Sequence, residues 1–199
     1  MSPLKADIEG AARILVGAGT TIALTGAGIS VPSGIPDFRS ESGLWSRFDI
    51  HEYGTLDAFR ANPRKVWRLF HEIAATMDGA EPNPAHEALV RLEQMGLLAA
   101  TVTQNIDNLH RKAGARNLIE FHGSAETLSC LKCGSSWPRA EAEGMLDEAR
   151  IPVCRCGTVL KPDIILFGES IPVHALRDSF ELASRADAIL VVGTSAEVA

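Results

Sequence analysis

A short apolar strand that runs directly into a glycine-rich turn constrains the fold of this chain more than any other feature. The strand is predicted over Ile22–Leu24, and Gly26 and Gly28 follow it. Because glycine has no Cβ, such a turn can bend sharply and approach a pyrophosphate, whose charge the amides of the next helix favour. Two departures from the usual fingerprint are Val31 at the third glycine position and the lack of a strand-end carboxylate about 20 residues later. The turn still indicates a dinucleotide-binding α/β fold.

Strands and helices alternate along the rest of the chain. One amphipathic helix is predicted before Gly17, and a second begins at Asn83 and Pro84 and ends at Gly96. A third lies between the last two strands. This alternation predicts a Rossmann-like parallel sheet with helices on both faces. The strands are predicted over residues 20–24, 98–103, 118–121, 164–167 and 188–192.

The four cysteines of the chain form two close pairs. Two residues separate Cys130 from Cys133, one separates Cys154 from Cys156, and 20 residues lie between the pairs. This spacing fits four thiolates that close on one tetrahedral zinc ion, with a glycine after each pair where the turn needs a positive φ. Two disulfides are the alternative, although thiols stay reduced inside cells. Four thiolates leave no open coordination position, so the zinc is predicted to be structural.

These patterns predict one main domain with an inserted module, which suits 199 residues of which 46% are hydrophobic. The Rossmann-like domain is predicted over 1–122 and 162–199, with a covering loop and helical insertion at about 31–80. The covering loop is rich in Gly, Pro, Ser and aromatic residues, which is typical of mobile active-site loops. The small zinc-binding module is predicted over 123–161 and is expected to need its metal to fold.

Charge and hydropathy exclude two classes of partner. The formal net charge of −6 argues against direct binding of nucleic acid, which would show clusters of basic residues. No apolar run approaches the ~20 residues that span a bilayer, and the N-terminal residues do not resemble a signal peptide. We therefore expect a soluble, cytoplasmic protein that does not bind membranes.

Polar side chains follow two of the predicted strands at the point where each strand ends. Asn105 and Asp107 come after the strand that ends at Thr103, and His122 comes directly after Phe121. In open α/β sheets the ligand binds at the carboxyl ends of the strands, and buried polar groups there commonly bind something polar. Capping of a turn remains the alternative role for Asn105 and Asp107.

Taken in order, these motifs closely resemble the sirtuins of bacterial or archaeal type, which are NAD-dependent protein-lysine deacylases. The similarity extends from about Ala11 to the last residue. It implies a Rossmann-like fold, NAD as co-substrate and one structural zinc. The matching motifs are TGAGIS at 25–30, SGIPDFR at 33–39, TQNIDNLH at 103–110, FHG at 121–123, the four cysteines, FGE at 167–169 and GTS at 193–195.

The resemblance also implies a role for each motif. His122 matches the catalytic base, and the cysteines match the zinc ligands. The implied substrate-binding residues, which pair with the peptide backbone as an added strand, are Ile165, Phe167, Gly168 and Glu169. The implied cofactor-binding residues are Gly26, Ala27, Gly28, Ser30, Asp37, Phe38, Arg39, Gln104, Asn105, Ile106, Asp107, Gly193, Thr194 and Ser195.

The implied reaction transfers an acetyl group from a lysine side chain of a protein or peptide and yields free lysine, nicotinamide and O-acetyl-ADP-ribose. Two alternatives stay open: a truncated, catalytically poor module that binds NAD or a peptide, and an NAD glycohydrolase or ADP-ribosyl transferase. The binding-module alternative is kept because family members continue beyond Ala199 with strands that hold the adenosine half of NAD. An exposed sheet edge and weaker cofactor binding are therefore expected.

The acyl preference is predicted from one helix. Sirtuins that prefer succinyl-lysine place a tyrosine and an arginine, three residues apart, to pair with the distal carboxylate. Phe70 and Ile73 stand at the matching positions in this sequence. Because apolar side chains leave a carboxylate unpaired, acetyl is expected to be preferred over succinyl.

Overall fold

A computed structural model of the chain describes residues 3–38, 40–41 and 43–195. No helix in these ranges is long and apolar enough to cross a membrane. The helices are α1 (Pro3–Gly17), α2 (Ile50–Tyr53), α3 (Leu56–Ala61), α4 (Pro63–Met77), α5 (Pro84–Gln94), α6 (Leu109–Ala113), α7 (Arg139–Ala142) and α8 (Val173–Arg185). The strands are β1 (Thr21–Thr25), β2 (Ala100–Thr103), β3 (Leu118–Glu120), β4 (Gly123–Ser129), β5 (Ser136–Pro138), β6 (Lys161–Ile164) and β7 (Ala188–Val192).

The chain divides into two compact units that alternate along the sequence. The second unit groups the helical insertion with the cysteine module, whereas the sequence-based division placed the insertion in the Rossmann-like domain. That division into folding domains stays a prediction. The first unit comprises Met1–Ser33, Glu81–Phe121 and Val173–Ala199, and the second comprises Gly34–Ala80 and His122–Pro172.

The first unit contains the predicted parallel sheet. Its four strands lie in the order β3-β2-β1-β7, and every neighbouring pair is parallel. Thr25, the last residue of β1, is in register with Thr103 of β2 and with Val192 of β7. Three strands therefore end level, and the segments that follow them leave the sheet at one edge.

Helix α5 begins as the sequence predicts. The Asn83 side chain accepts a 2.9 Å hydrogen bond from the Ala85 amide, and Pro84 occupies the first helical position. The His86 ring accepts from the Asn83 amide, which completes a capping box. Leu89 of this helix packs in one core cluster with Ala23, Ile29 and Leu98.

Helices α1 and α8 are also present, and several of their apolar side chains are exposed. Ile8 of α1 is 60% exposed and Phe180 of α8 is 67% exposed. In β7, Leu190 packs against the core whereas Ile189 and Val191 are exposed. Among the described residues, β7 is an edge strand of the sheet.

The second unit combines helices α2–α4 with a small antiparallel sheet. Strand β4 lies between β5 and β6 and pairs antiparallel with both. Helix α4 buries one apolar face, and its Trp67 indole donates a 2.8 Å hydrogen bond to the Leu160 carbonyl.

The strand predicted over 164–167 was wrong in position and in partner. The strand lies earlier, at Lys161–Ile164, and belongs to the antiparallel sheet. Its pairing with β4 requires a glycine at 123, because a Cβ there would lie 2.0 Å from the Asp163 carbonyl oxygen. The Gly123 φ of 74° is in the left-handed region that glycine tolerates.

Candidate active site

Three chain segments meet where the parallel sheet ends. The Gln104 amide donates to the Thr25 carbonyl at 2.9 Å, and the Gly26 amide donates to the Val192 carbonyl at 3.2 Å. These bonds continue the sheet by one residue beyond its strands. The edge therefore brings together the predicted segments that begin at Gly26, Gln104 and Gly193.

The glycines of the first segment are needed for the close approach of two backbones. The Gly28 amide donates a 2.8 Å hydrogen bond to the Gly193 carbonyl, and a Cβ on Gly28 would lie 2.8 Å from the Gly193 Cα. A Cβ on Gly193, whose φ is 65°, would lie 2.1 Å from the Ile29 nitrogen. Gly28 is nevertheless exposed, so the turn presents bare backbone at the sheet edge.

A polar cluster of Ser30, Asn105 and Asp107 lies directly behind this turn. The Ser30 hydroxyl donates to the Asp107 carboxylate at 2.6 Å and accepts from the Asn105 amide group at 3.1 Å. The Asn105 amide group also donates to the Gly26 carbonyl at 3.2 Å. Ser30 and Asn105 are buried, while Asp107 is half-buried. The arrangement joins hydroxyl, amide and carboxylate groups that suit recognition of ribose hydroxyls and a carboxamide.

The remaining predicted residues of the first unit border this cluster. The Thr194 hydroxyl donates a 2.8 Å hydrogen bond to the Gln104 side chain. Ala27 lies in the turn after β1 and is half-buried, as is Ile106, while Ser195 is exposed. All predicted cofactor residues of this unit thus lie on the segments that leave the sheet at its carboxyl edge.

Beneath the cluster lies a buried set of polar side chains that sequence reasoning missed. The Thr25 hydroxyl is 2.8 Å from the Thr103 hydroxyl and 2.9 Å from His110 Nε2. The rings of His110 and His86 are 4.8 Å apart and meet edge to face. Burial, and then the neighbouring His86, lowers the pKa of His110 to about 4, and burial also lowers the pKa of His86. Both rings are therefore neutral near pH 7.

The covering loop belongs to the second unit. The Asp37 side chain accepts from the Ser40 amide at 2.9 Å, which closes a turn, and Arg39 lies outside the described residues. Phe38 is half-buried, with its ring centroid 5.9 Å from that of Trp45. Trp45 is in turn 6.1 Å from the ring of Phe167. An aromatic row thus connects the predicted cofactor loop with the predicted substrate segment.

His122 also belongs to the second unit. It directly follows Phe121, whose amide donates to the Thr103 carbonyl at 2.8 Å. Its ring is half-buried. Its carbonyl accepts a 2.9 Å hydrogen bond from Ile165, the first predicted substrate residue. The predicted base and the predicted substrate segment are therefore joined through the backbone.

The substrate segment is anchored on its other side as well. The Phe167 amide donates to the Gly54 carbonyl at 2.9 Å, and the Phe167 carbonyl accepts from Leu56 at 3.0 Å. These bonds engage the backbone of Phe167, so an added peptide strand would pair through its neighbours. Gly168 is exposed, with a φ of 79°.

Glu169 is half-buried and its carboxylate is engaged within the second unit. Its carboxylate accepts from the Leu166 amide at 3.0 Å and pairs with Lys161 at 3.0 Å. Lys161 is a second functional candidate that sequence reasoning missed. The available signal was a lysine that directly follows the apolar pair Val159 and Leu160.

The four cysteine sulfurs lie within 4.8 Å of one another. Cys130 and Cys156 have their Sγ atoms 3.5 Å apart, and those of Cys133 and Cys154 are 3.6 Å apart. A disulfide would need about 2.05 Å. Four thiolates around zinc at about 2.3 Å lie about 3.8 Å from one another, so these residues fit a zinc ion.

The two cysteine turns share one design. Gly134 and Gly157 each follow the second cysteine of a pair, with φ of 72° and 83°, as the sequence predicts. Hydrogen bonding from the Thr158 side chain and backbone lowers the pKa of the Cys156 thiol to about 6. Ser135 lowers the pKa of Cys133 in the same way. These contacts favour the thiolate form that binds a metal.

Comparison with known proteins decides the family. The sequence profile of the Sir2 family matches residues 26–199. This chain belongs to the Sir2 family. It is 47% identical over 195 residues to an NAD-dependent protein deacylase of Thermococcus sibiricus, which covers 96% of this chain and 76% of that protein. It is 46% identical to an NAD-dependent protein deacylase of Pyrococcus abyssi, over 92% of this chain and 75% of that protein.

Solved Sir2 structures agree with this assignment. One described as "Structural Basis for the Mechanism and Regulation of Sir2 Enzymes" has a TM-score of 0.90 and 43% identity, and covers 98% of this chain and 78% of that chain. Another, described as "Sir2-p53 peptide-NAD+", has a TM-score of 0.85 and 38% identity, over 96% of this chain and 77% of that chain. The Sir2 fold of this chain, with its parallel sheet and cysteine cluster, is confirmed.

Proposed function

We propose that this chain is an NAD-dependent protein-lysine deacetylase that yields nicotinamide, free lysine and O-acetyl-ADP-ribose. The observation that carries the proposal is the polar cluster of Ser30, Asn105 and Asp107 at the carboxyl edge of a Sir2-family sheet. Relatives named as NAD-dependent deacylases, and a Sir2 structure that holds both a peptide and NAD+, favour this function over a binding module or a glycohydrolase.

The first unit is proposed to bind the cofactor. NAD, when bound, supplies an electrophilic ribose carbon with nicotinamide as its leaving group. The exposed backbone at Gly28 would lie against the phosphates, since no side chain stands in the way. Ser30, Asn105 and Asp107 would orient the ribose and carboxamide, and their mutual hydrogen bonds hold them ready to do so.

His122 is proposed to act as the general base. A neutral imidazole would accept a proton from a ribose hydroxyl, whose oxygen would then bond to the acyl carbon as the amide C–N bond breaks and the lysine amine leaves with a proton. One water molecule is consumed overall, since an oxygen replaces nicotinamide on the ribose carbon. The half-buried position of the ring keeps it partly out of water. Its backbone bond to Ile165 fixes it beside the segment proposed to bind peptide.

The substrate is proposed to be an acetylated lysine in an extended peptide. Gly168 directly follows the anchored Phe167, and Ile165 lies two positions before it with its amide bonded to His122. The Gly168 backbone and the Ile165 carbonyl would pair with the peptide main chain, which leaves side-chain recognition weak. Zinc is proposed to stabilise the cysteine module and takes no part in the chemistry, because all four of its positions would be thiolates. A cytoplasmic location, without direct contact to nucleic acid or membrane, stays a prediction.

Mass spectrometry of an acetyl-lysine peptide incubated with and without NAD tests this function. Loss of acetyl that needs NAD, persists in the exposed-histidine variant His174→Ala and vanishes in His122→Ala would support it. NAD cleavage without dependence on the peptide would indicate a glycohydrolase instead. Binding of NAD or peptide without any turnover, in folded protein that retains zinc, would indicate a binding module.

A further inference from the structure

Lys161 is a buried ammonium group whose three protons all have acceptors. Its side chain is 3% exposed. Nζ lies 2.7 Å from the Ile164 carbonyl, 3.0 Å from the Pro162 carbonyl and 3.0 Å from the Glu169 carboxylate. A lysine ammonium has three donors and no acceptor, so this environment satisfies it fully.

Glu169 connects Lys161 to the backbone of the loop that follows β6. The oxygen that pairs with Lys161 also accepts the Leu166 amide at 3.0 Å, while the Glu169 amide donates to the Leu166 carbonyl at 3.0 Å. Gly168, with its positive φ, allows the reversal between them. Lys161 therefore binds the 164–169 loop at its first carbonyl, that of Ile164, and Glu169, its last residue, closes the loop onto Leu166.

Stability alone is a poor reason for such an arrangement. Removing a lysine and a carboxylate from water costs several kcal/mol, and well-packed apolar residues commonly serve as well or better. What a fully hydrogen-bonded ion pair provides is a single defined geometry. Here the segment so defined contains Ile165 and Gly168, two of the predicted substrate residues, with the Phe167 backbone engaged by Gly54 and Leu56 and the Ile165 amide engaged by the His122 carbonyl.

We propose that Lys161 is a positioning residue for the acyl-lysine peptide, and that it acts through Glu169 by holding the 164–169 loop in its peptide-binding form. This inference rests on the proposed function. It assigns Glu169 a role in shaping the loop, in place of the direct substrate contact expected from the sequence.

The test is a steady-state comparison of wild type with Lys161→Met, Lys161→Arg and Glu169→Gln, using an acetyl-lysine peptide and NAD. Lys65→Met is the matched control, because Lys65 forms an exposed ion pair with Glu52 in the same unit. Thermal unfolding of each variant reports stability, and hydrogen exchange at the Leu166 amide reports the loop directly.

We expect the peptide KM to rise about tenfold in Lys161→Met and Glu169→Gln, with NAD KM within about twofold and kcat within about threefold of wild type. The Leu166 amide should exchange faster in both, and Lys161→Arg should recover most of the peptide KM because it keeps the charge. Glu169→Gln preserves the size of a partly exposed side chain, so it tests the role of the ion pair even if Lys161→Met does not fold.

Three results would overturn the inference. An unchanged peptide KM in folded Lys161→Met or Glu169→Gln would do so while leaving the deacetylase function intact. So would equal rises in peptide and NAD KM together with a lower melting temperature, since that pattern marks a general structural role. Wild-type protein that neither binds nor converts the peptide would instead overturn the proposed function, and this inference with it.

Discussion

The Ser30 hydroxyl donates a 2.6 Å hydrogen bond to the Asp107 carboxylate and so joins the turn after β1 to the segment after β2. The same hydroxyl accepts from Asn105. Because the Ser30 hydroxyl donates one hydrogen bond to Asp107 and accepts one from Asn105, its orientation is fixed. The polar edge of the sheet is thus organised before any ligand arrives.

Ser30→Ala should therefore weaken both NAD binding and the fold. The change removes the link between Asn105 and Asp107, and we expect the Kd for NAD to rise about tenfold and unfolding to cost about 1–2 kcal/mol less. Calorimetric titration with NAD and chemical denaturation measure the two effects. Ser184→Ala, on an exposed face of α8 in the same unit, is the control. Equal NAD affinity in both variants would contradict the role given to Ser30.

Gly193→Ala should destabilise the first unit strongly. A Cβ at this position would lie 2.1 Å from the Ile29 nitrogen, and the φ of 65° is unfavourable for alanine. We expect a loss of about 3 kcal/mol in the free energy of unfolding, measured by urea denaturation. In Gly17→Ala, at the end of α1, nothing lies within 4 Å of the added methyl group. That control should unfold at or slightly above the wild-type urea concentration.

The buried His110 should make the fold sensitive to acid. Its pKa is lowered to about 4 by burial, whereas an unfolded histidine titrates near 6.5, so the unfolded state takes up the proton first. The free energy of unfolding should therefore fall by up to about 3 kcal/mol as the pH drops from about 6.5 to 4, and no further His110 effect is expected below that range.

Urea denaturation across pH 4–8 measures this dependence. His110→Gln should flatten it, with the remainder due to His86, whose pKa is also lowered by burial. His174→Gln, which alters an exposed histidine, should leave the dependence as in wild type. A His110→Gln variant with the full wild-type slope would show that this ring is not the source.

Removal of the metal should unfold the cysteine module. We expect one zinc per chain by elemental analysis, lost in Cys130→Ser and Cys154→Ser, with a lower melting temperature in both. Lys132→Gln changes an exposed residue between Cys130 and Cys133 and should keep the metal. Full stability after complete removal of zinc would rule out the structural role.

The acyl group should be uncharged. Phe70 and Ile73 are buried on α4, where Phe70 packs 5.3 Å from the ring of Trp67. No charge on these two side chains could pair with a distal carboxylate. The kcat/KM for an acetyl peptide should be at least about tenfold higher than that for a succinyl peptide of the same sequence. Comparable kcat/KM values for the two peptides would contradict this prediction. Phe70→Arg should reduce the difference between the two values if Phe70 lines the acyl site.

Much of the local structure of this protein could be predicted from its sequence. The glycine turn after an apolar strand, the Asn83 and Pro84 cap and the paired cysteines each depend on residues close together in the chain. Their φ angles, caps and spacings are fixed by short-range sterics and hydrogen bonding. The parallel sheet followed from the alternation of strands and helices, and the Sir2 membership from the order of the motifs.

Contacts between distant residues were decided only by the tertiary structure. Gly28 and Gly193 are 165 positions apart in the printed sequence, and nothing in either segment states that their backbones meet. The Lys161–Glu169 pair and the neutral His110 depend on burial, which is set by the packing of many residues at once. The antiparallel pairing of β6 with β4, including the close approach of Gly123 to Asp163, likewise joins residues far apart in the chain. The sequence by itself determined the elements and the chemical groups available, whereas long-range packing decided which of those groups touch and how they are charged.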